Sequence, residues 1–251
     1  MPESNPEHLI ATVFGGHPKL LKEALLNRRL LHAAYNGAPE RKWLLVDDQS
    51  FPKPPLELLG EVLQVNLPAR PDLARFVQGI EASFLRVSEF IVCSLHLMQE
   101  FSGHKWVLYV DTDAYLMDCV TACPIKATAA SGAVVGAVSG PGALSLEARL
   151  AKPFREQMCN TGYEPPDELF LDDGSMIMIP TGFEVISLEW MRADRQAGFL
   201  AWVRKTGVML QLALPRSAII TAMLALDGKL NSIFEFTGCH ILHGDWEIYD
   251  S

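Results

Sequence analysis

Lys105-Trp106-Val107-Leu108-Tyr109-Val110-Asp111-Thr112-Asp113-Ala114-Tyr115-Leu116-Met117 is the stretch from which the fold can be read. Its apolar and aromatic run, Trp106 to Val110, reads as a strand buried on both faces, and such strands belong to the middle of a parallel sheet covered by helices. The run stops on two acids. Open α/β sheets bind ligands beyond the carboxyl ends of their strands, which is where Asp111 and Asp113 stand. Alternate residues of an extended segment point the same way, so Asp111 and Asp113 are expected to converge while Thr112 faces elsewhere. Two carboxylates that close repel each other unless a cation lies between them. Hard oxygen ligands suit Mg²⁺ or Mn²⁺, and Mg²⁺ is commonly held by one or two carboxylates plus the phosphates of a substrate. The bland alternative is an acid that ends a strand by capping the next helix.

The segment KWVLYVDTDAYLMD resembles the DxD signature of GT-A glycosyltransferases, in the WxxxxDxDxxxM form of the α-galactosyl-, mannosyl- and xylosyltransferases of yeast and plants. The resemblance implies a divalent cation, Mn²⁺ or Mg²⁺, on Asp113, alone or with Asp111, bridging to the diphosphate of a UDP- or GDP-sugar. It makes Asp111, Thr112 and Asp113 nucleotide-binding residues. It also implies an α/β GT-A fold, a Rossmann-like, mostly parallel twisted sheet with helices on both faces. The expectation is one domain over residues 1–251, with a nucleotide-binding half at 8–117 and an acceptor half at 118–251.

Towards the N-terminus, His8 to Phe14 is a β-branched and apolar run closed by Gly15-Gly16, and Pro18 to Leu31 follows with helical spacing. A strand, a glycine turn and a helix are expected, and in GT-A enzymes such a turn holds the base, which points to Phe14 and Gly15. Lys42 to Val46 is the next strand, ending in Asp47-Asp48. LLVDDQS resembles the VVDDGS ending of the second GT-A strand, so Asp47 or Asp48 is expected to accept hydrogen bonds from the nucleoside. Glu61 to Asn66 supplies a third strand, and Pro71 to Phe101 carries a long amphipathic helical pattern.

Beyond the acids, Ala133 to Val138 reads as a strand and Leu144 to Tyr163 as mainly helical. Leu171-Asp172-Asp173-Gly174-Ser175 then precedes a buried apolar run. Its spacing is similar to FNSGVMLI or INTGSFLI of retaining GT-A families, with Asp172 where they carry Asn. That likeness makes Asp172 and Asp173 candidate catalytic or acceptor-orienting groups. Read without it, Asp-Asp-Gly is a turn. Phe183 to Lys205 is expected to be helical, and Pro215 to Lys229 a second helix with proline in its first turn. Related families often carry an Asp-Gln pair at that helix start, where Arg216-Ser217 stand here. The chain closes on Cys239-His240-Ile241-Leu242-His243-Gly244. Retaining GT-A enzymes end similarly, with a histidine that completes the metal site, so either His243 or His240 is expected to be a metal ligand.

The 251 residues carry 21 basic against 30 acidic side chains, a formal net charge of −9, which argues against a nucleic-acid backbone as partner. No apolar run approaches the ~18 residues of a membrane span, and Met1-Pro2-Glu3-Ser4 lacks the features of a signal peptide. A cytoplasmic protein is therefore expected. Five scattered cysteines, Cys119 and Cys123 among them, lack the second pair that a zinc site needs. The resulting expectation is a metal-dependent hexosyltransferase, retaining by resemblance, that moves a sugar from a nucleotide-diphosphate sugar to a hydroxyl acceptor, itself a carbohydrate. Two alternatives remain. A haloacid-dehalogenase-like phosphohydrolase also ends an apolar strand in Asp-x-Asp, although that motif normally opens its domain. A GT-A-like module could also bind a nucleotide-sugar without turnover.

Overall fold

Each β-rich run of the sequence becomes a strand, and the helical patterns between them fold over both faces of one sheet. The computed structural model describes residues 8–15, 18–34, 40–47, 59, 61–67, 79–117, 123–236, 241–243 and 247–248. In chain order these form β1 (His8–Gly15), α1 (Pro18–Ala34), β2 (Glu40–Asp47), β3 (Val62–Asn66), α2 (Gly79–Cys93), β4 (Trp106–Val110) and β5 (Ala114–Leu116). There follow α3 (Pro124–Ser131), β6 (Val135–Ala137), β7 (Leu144–Leu146), α4 (Ala148–Asn160), β8 (Met176–Met178), β9 (Phe183–Ser187) and α5 (Leu188–Arg192). The chain ends with α6 (Asp194–Thr206), α7 (Val208–Gln211), α8 (Arg216–Leu226), β10 (Phe234–Glu235), β11 (Ile241–His243) and β12 (Glu247–Ile248).

Seven strands make the central sheet in the order β10-β6-β9-β4-β1-β2-β3. Parallel pairing joins β10 to β6, β4 to β1, β1 to β2 and β2 to β3, whereas β9 runs antiparallel to both of its neighbours. The α/β class and the mostly parallel sheet are as expected from the sequence. Period-two alternation divides the core in two. Leu9, Ala11, Val13, Val107, Tyr109 and Ile186 pack on one face with Val92 of α2, Phe199 of α6 and Ile220 of α8. Ile10, Leu108, Val110, Phe183 and Val185 pack on the other with Leu31 of α1 and Ile125 of α3. Burying each such aliphatic or aromatic side chain stabilises the fold by about 1.5–3 kcal/mol, so β4 is a rigid platform for the acids that follow it.

Three stretches depart from the sequence reading. Phe183–Ser187 is a central strand rather than the start of a helix. The β-branched Phe-Glu-Val-Ile-Ser run passes into the helical pattern with no glycine or proline between, and the boundary is set by Ser187, whose Oγ accepts from Trp190 N at 3.2 Å. Leu144–Leu146 pairs with β8 before α4 begins. The amphipathic stretch that ends at Phe101 is α2 up to Cys93 and then two 3₁₀ turns, Leu95–Leu97 and Gln99–Phe101, while 71–78 lie outside the described residues. A distant side chain secures this change, because Arg192 donates to the carbonyls of His96 (2.9 Å), Phe101 (2.7 Å) and His104 (3.0 Å). Among the described residues, no helix is long and apolar enough to cross a membrane.

Candidate active site

The carboxyl ends of β1, β2 and β4 lie along one edge of the sheet, since β1 pairs in parallel with both neighbours and Gly15 lies beside Val46. Strand β4 stops at Val110, and Asp111 to Ala114 then form a tight turn closed by Ala114 N donating to Asp111 O at 3.2 Å. The extended alternation expected of Asp111 and Asp113 therefore ends at Asp111. Thr112 and Asp113 are the corner residues of the turn.

The backbone of Asp111 is held on both sides. Its N–H donates to Gly182 O at 2.7 Å, and its carbonyl accepts from Asn27 Nδ2 at 3.1 Å. Asn27 Nδ2 also donates to Ala114 O, so one amide on α1 spans the turn. One helical turn earlier on α1, Glu23 Oε2 accepts from the Thr112 hydroxyl at 3.3 Å. Thr112 is buried and its side chain is committed to this contact.

Strand parity explains what meets Asp111 from the opposite face. Tyr109 faces α8, and Glu184 of β9 is directly opposite it in the antiparallel register. Arg216, the first residue of α8, lies above both. Its Nη2 donates to Asp111 Oδ2 at 2.8 Å, its Nε to Glu184 Oε1 at 3.1 Å, and its guanidinium sits 4.6 Å from the Tyr109 ring centroid. Glu184 Oε2 also accepts from Gly182 N at 2.6 Å. Gly182 has φ +121°, a backbone conformation closed to side chains with a Cβ, so the loop that serves both Asp111 and Glu184 requires glycine there.

The Arg216 and Glu184 side chains are 4% and 1% exposed, and Asp111 is 19% exposed. Burial pushes the Glu184 carboxyl above its ordinary range, with Asp111 adding to that and Arg216 opposing it. Burial also works against the Arg216 charge, but Asp111 and Glu184 outweigh it and hold the guanidinium charged. Two carboxylates on one cation leave the trio with an excess of negative charge when both are ionised.

The antiparallel sheet β12-β11-β5 brings the chain's end to the same turn. Its register sets Ile241 opposite Leu116 and His243 opposite Ala114, the residue after Asp113. Only the backbone of His243 is described, and His240 lies outside the described residues. Asp48 lies outside them too, and Asp47 ends β2 with its side chain undescribed. The Phe14 side chain is 2% exposed and packs with Leu21, Ala24, Trp43 and Leu45, so a ligand could meet it only through its backbone.

Asp172 and Asp173 occupy an exposed turn in which Gly174 N donates to Leu171 O and Leu171 N to Ser175 O, both at 2.8 Å. Asp173 Oδ1 accepts from Ser175 N (2.8 Å) and Ser175 Oγ (2.6 Å), and these bonds hold its carboxyl below the usual range. The carboxylate is committed to shaping its own turn. Gly182 to Glu184, ten residues further along the chain, lie alongside the end of β4 and Asp111.

The sequence reading passed over three residues of the site. Asn27 carried a signal: it interrupts the apolar stripe of α1 between Ala24 and Leu31 and is 1% exposed. Glu184 was hidden by the reading of its strand as helix. Arg216 was read only as the absence of an Asp-Gln pair.

Among the described residues, no three His, Cys, Asp or Glu side chains cluster as a metal centre. Asp113 is a half-buried carboxylate at a corner of the turn, and the β11 register sets His243 opposite the residue after it. Hard oxygen with nitrogen is a donor set that Mn²⁺ accepts. Asp111 already accepts from a guanidinium.

This architecture is the GT-A fold of nucleotide-sugar glycosyltransferases. No protein family matches the sequence, and no curated protein does. The chain is similar in structure to the mannosyltransferase Ktr4p of S. cerevisiae, with TM-score 0.68 and 13% identity over 96% of this chain and 71% of that one. It is similar also to core-mannan synthase A of Aspergillus fumigatus, solved in a Mn/GDP form, with TM-score 0.65 and 11% identity over 94% and 74% of the two chains. Mouse xyloside xylosyltransferase 1 matches with TM-score 0.51 and 14% identity over 91% and 84%.

Proposed function

We propose that this chain is a metal-dependent glycosyltransferase that moves a sugar from a nucleotide-diphosphate sugar to a hydroxyl of a carbohydrate acceptor, with retention of configuration. The observation that carries the reading is the return of the C-terminal strand to the DxD turn, with His243 opposite Ala114. That backbone register supports a metal site shared by the strand-end acids and a terminal histidine on a GT-A sheet. Two of the similar structures were solved with GDP, Ktr4p and core-mannan synthase A, which makes a GDP-sugar the first donor to test.

In this reading Asp113 and a C-terminal histidine, for which the register favours His243, hold a divalent cation. When bound, that cation neutralises charge on the departing diphosphate. The chain's own residues do the rest. Asn27 and Glu23 fix the turn, so that Asp113 is presented in one geometry. Gly15 and Asp47, the last residues of β1 and β2, stand along the same edge, and Asp47 or Asp48 would accept from nucleoside hydroxyls and ring N–H groups. The GT-A fold displaces the phosphohydrolase alternative.

The test is a thermal-shift series of GDP- and UDP-sugars with and without Mn²⁺, followed by product analysis with carbohydrate acceptors. A Mn²⁺-dependent shift with one donor, and transfer from it, supports the proposal. A donor that binds with no transfer to any acceptor would leave a binding module. No donor-dependent shift at all would overturn the reading.

A further inference from the structure

Arg216 makes no hydrogen bond to a described residue beyond those to Asp111 and Glu184, and it reaches both from the first turn of a helix in which it is the one charged residue. It is a fixed cation on the first of the two aspartates between which the sequence led one to expect a metal. A divalent ion on the Asp111 carboxylate would sit at about 2.1 Å from its oxygen. It would then lie next to a guanidinium that already takes Asp111 Oδ2 at 2.8 Å. Two positive centres on one carboxylate repel, and the guanidinium cannot withdraw. It is 96% buried by side-chain area, anchored to Glu184 on the next strand and stacked over Tyr109. It also cannot lose its proton, because both acids hold it charged.

We infer that Arg216 is a built-in cation that takes Asp111 out of the metal site, leaving Asp113 as the carboxylate ligand of this DxD turn. The inference rests on the proposed metal-dependent reading and adds a division of labour within it. Asp111 with Arg216 and Glu184 forms an internal ionic anchor for the turn, and only Asp113 faces the metal. Arg216 is thus a positioning residue. Its removal frees Asp111 to become a second ligand, so metal should bind more tightly while the turn's catalytic geometry is lost.

The experiment titrates the full chain with Mn²⁺ alone, reading bound Mn²⁺ by electron paramagnetic resonance and melting temperature in parallel. Asp113→Ala should weaken Mn²⁺ binding by about tenfold or more, and Asp111→Asn by no more than about threefold. Arg216→Met should bind Mn²⁺ more tightly than wild type, by about threefold or more, because a competing like charge has gone. Adding Asp111→Asn to it should abolish that gain. Arg216→Met leaves Glu184 buried without a partner and is at risk of not folding. The double variant Glu184→Gln/Arg216→Met removes that charge as well and carries the same prediction.

Equal losses in Asp111→Asn and Asp113→Ala would overturn the inference and leave the metal-dependent reading intact. So would a release variant that binds Mn²⁺ no better than wild type. Wild-type protein that takes up no Mn²⁺ would remove the reading itself and the inference with it.

Discussion

Asn27 and Asp111, 84 residues apart in the chain, are joined by a 3.1 Å hydrogen bond from an amide that also reaches the carbonyl of Ala114. The shape of the turn after β4 is therefore held by a helix that precedes it by two strands. Asn27→Ala removes the donor and leaves two carbonyls in a protein interior without it. Such a loss should cost about 1–3 kcal/mol in denaturant unfolding. Transfer activity should fall with it, since Asp113 would no longer be held in one position. An unchanged midpoint would show that solvent serves these carbonyls equally well.

Glu184 and Arg216 form a buried pair in which each partner is needed for the other. Glu184→Ala leaves the guanidinium with Asp111 alone and should destabilise by about 3–5 kcal/mol. Glu184→Gln keeps an acceptor for Arg216 Nε and should cost clearly less. Equal costs for the two variants would mean that charge, rather than hydrogen bonding, dominates at this position.

Asp173→Ala is expected to leave transfer within about threefold of wild type and to cost at most about 1 kcal/mol, the usual range for an exposed turn residue. The reason is that its carboxylate bonds only its own turn in the contacts described. A loss of transfer by orders of magnitude, with stability intact, would restore this acid to the reaction.

His96 supplies the pH dependence. Its imidazole is buried and its pKa is lowered to about 4, first by burial and then by the charges of Arg192 and Arg204. The unfolded chain takes up this proton below about 6.5, whereas the folded protein resists it until near 4. Stability held by neutral His96 is thus complete above the higher value and lost as pH falls through the interval, by up to about 3 kcal/mol. Comparing denaturant midpoints of wild type and His96→Gln at about pH 7.5 and 4.5 should show a smaller acid loss in the variant. Parallel losses would assign the acid sensitivity to other groups.

Much of the sheet was legible because its strands are buried on both faces and so form apolar or β-branched runs, as at Ile10 to Phe14, Trp43 to Val46 and Trp106 to Val110. Strand β9 was not legible, because Phe183 to Ser187 meets α5 without a breaking residue and a five-residue run has no period that excludes a helix. Asp172 and Asp173 drew attention through spacing alone, which does not register that Ser175 occupies one of the carboxylates.

By itself the sequence determined that an α/β sheet carries two acids at the end of a central strand, since local hydrophobic pattern is a property of neighbouring residues. Only the tertiary structure decided which charge each acid meets. Asp111 faces Arg216 from α8 and Glu184 from β9, while the Asp113 corner faces the returning strand β11, and those partners come from 70 to 130 residues away. Ion pairing depends on distance in space, and the order of residues along the chain carries no measure of it.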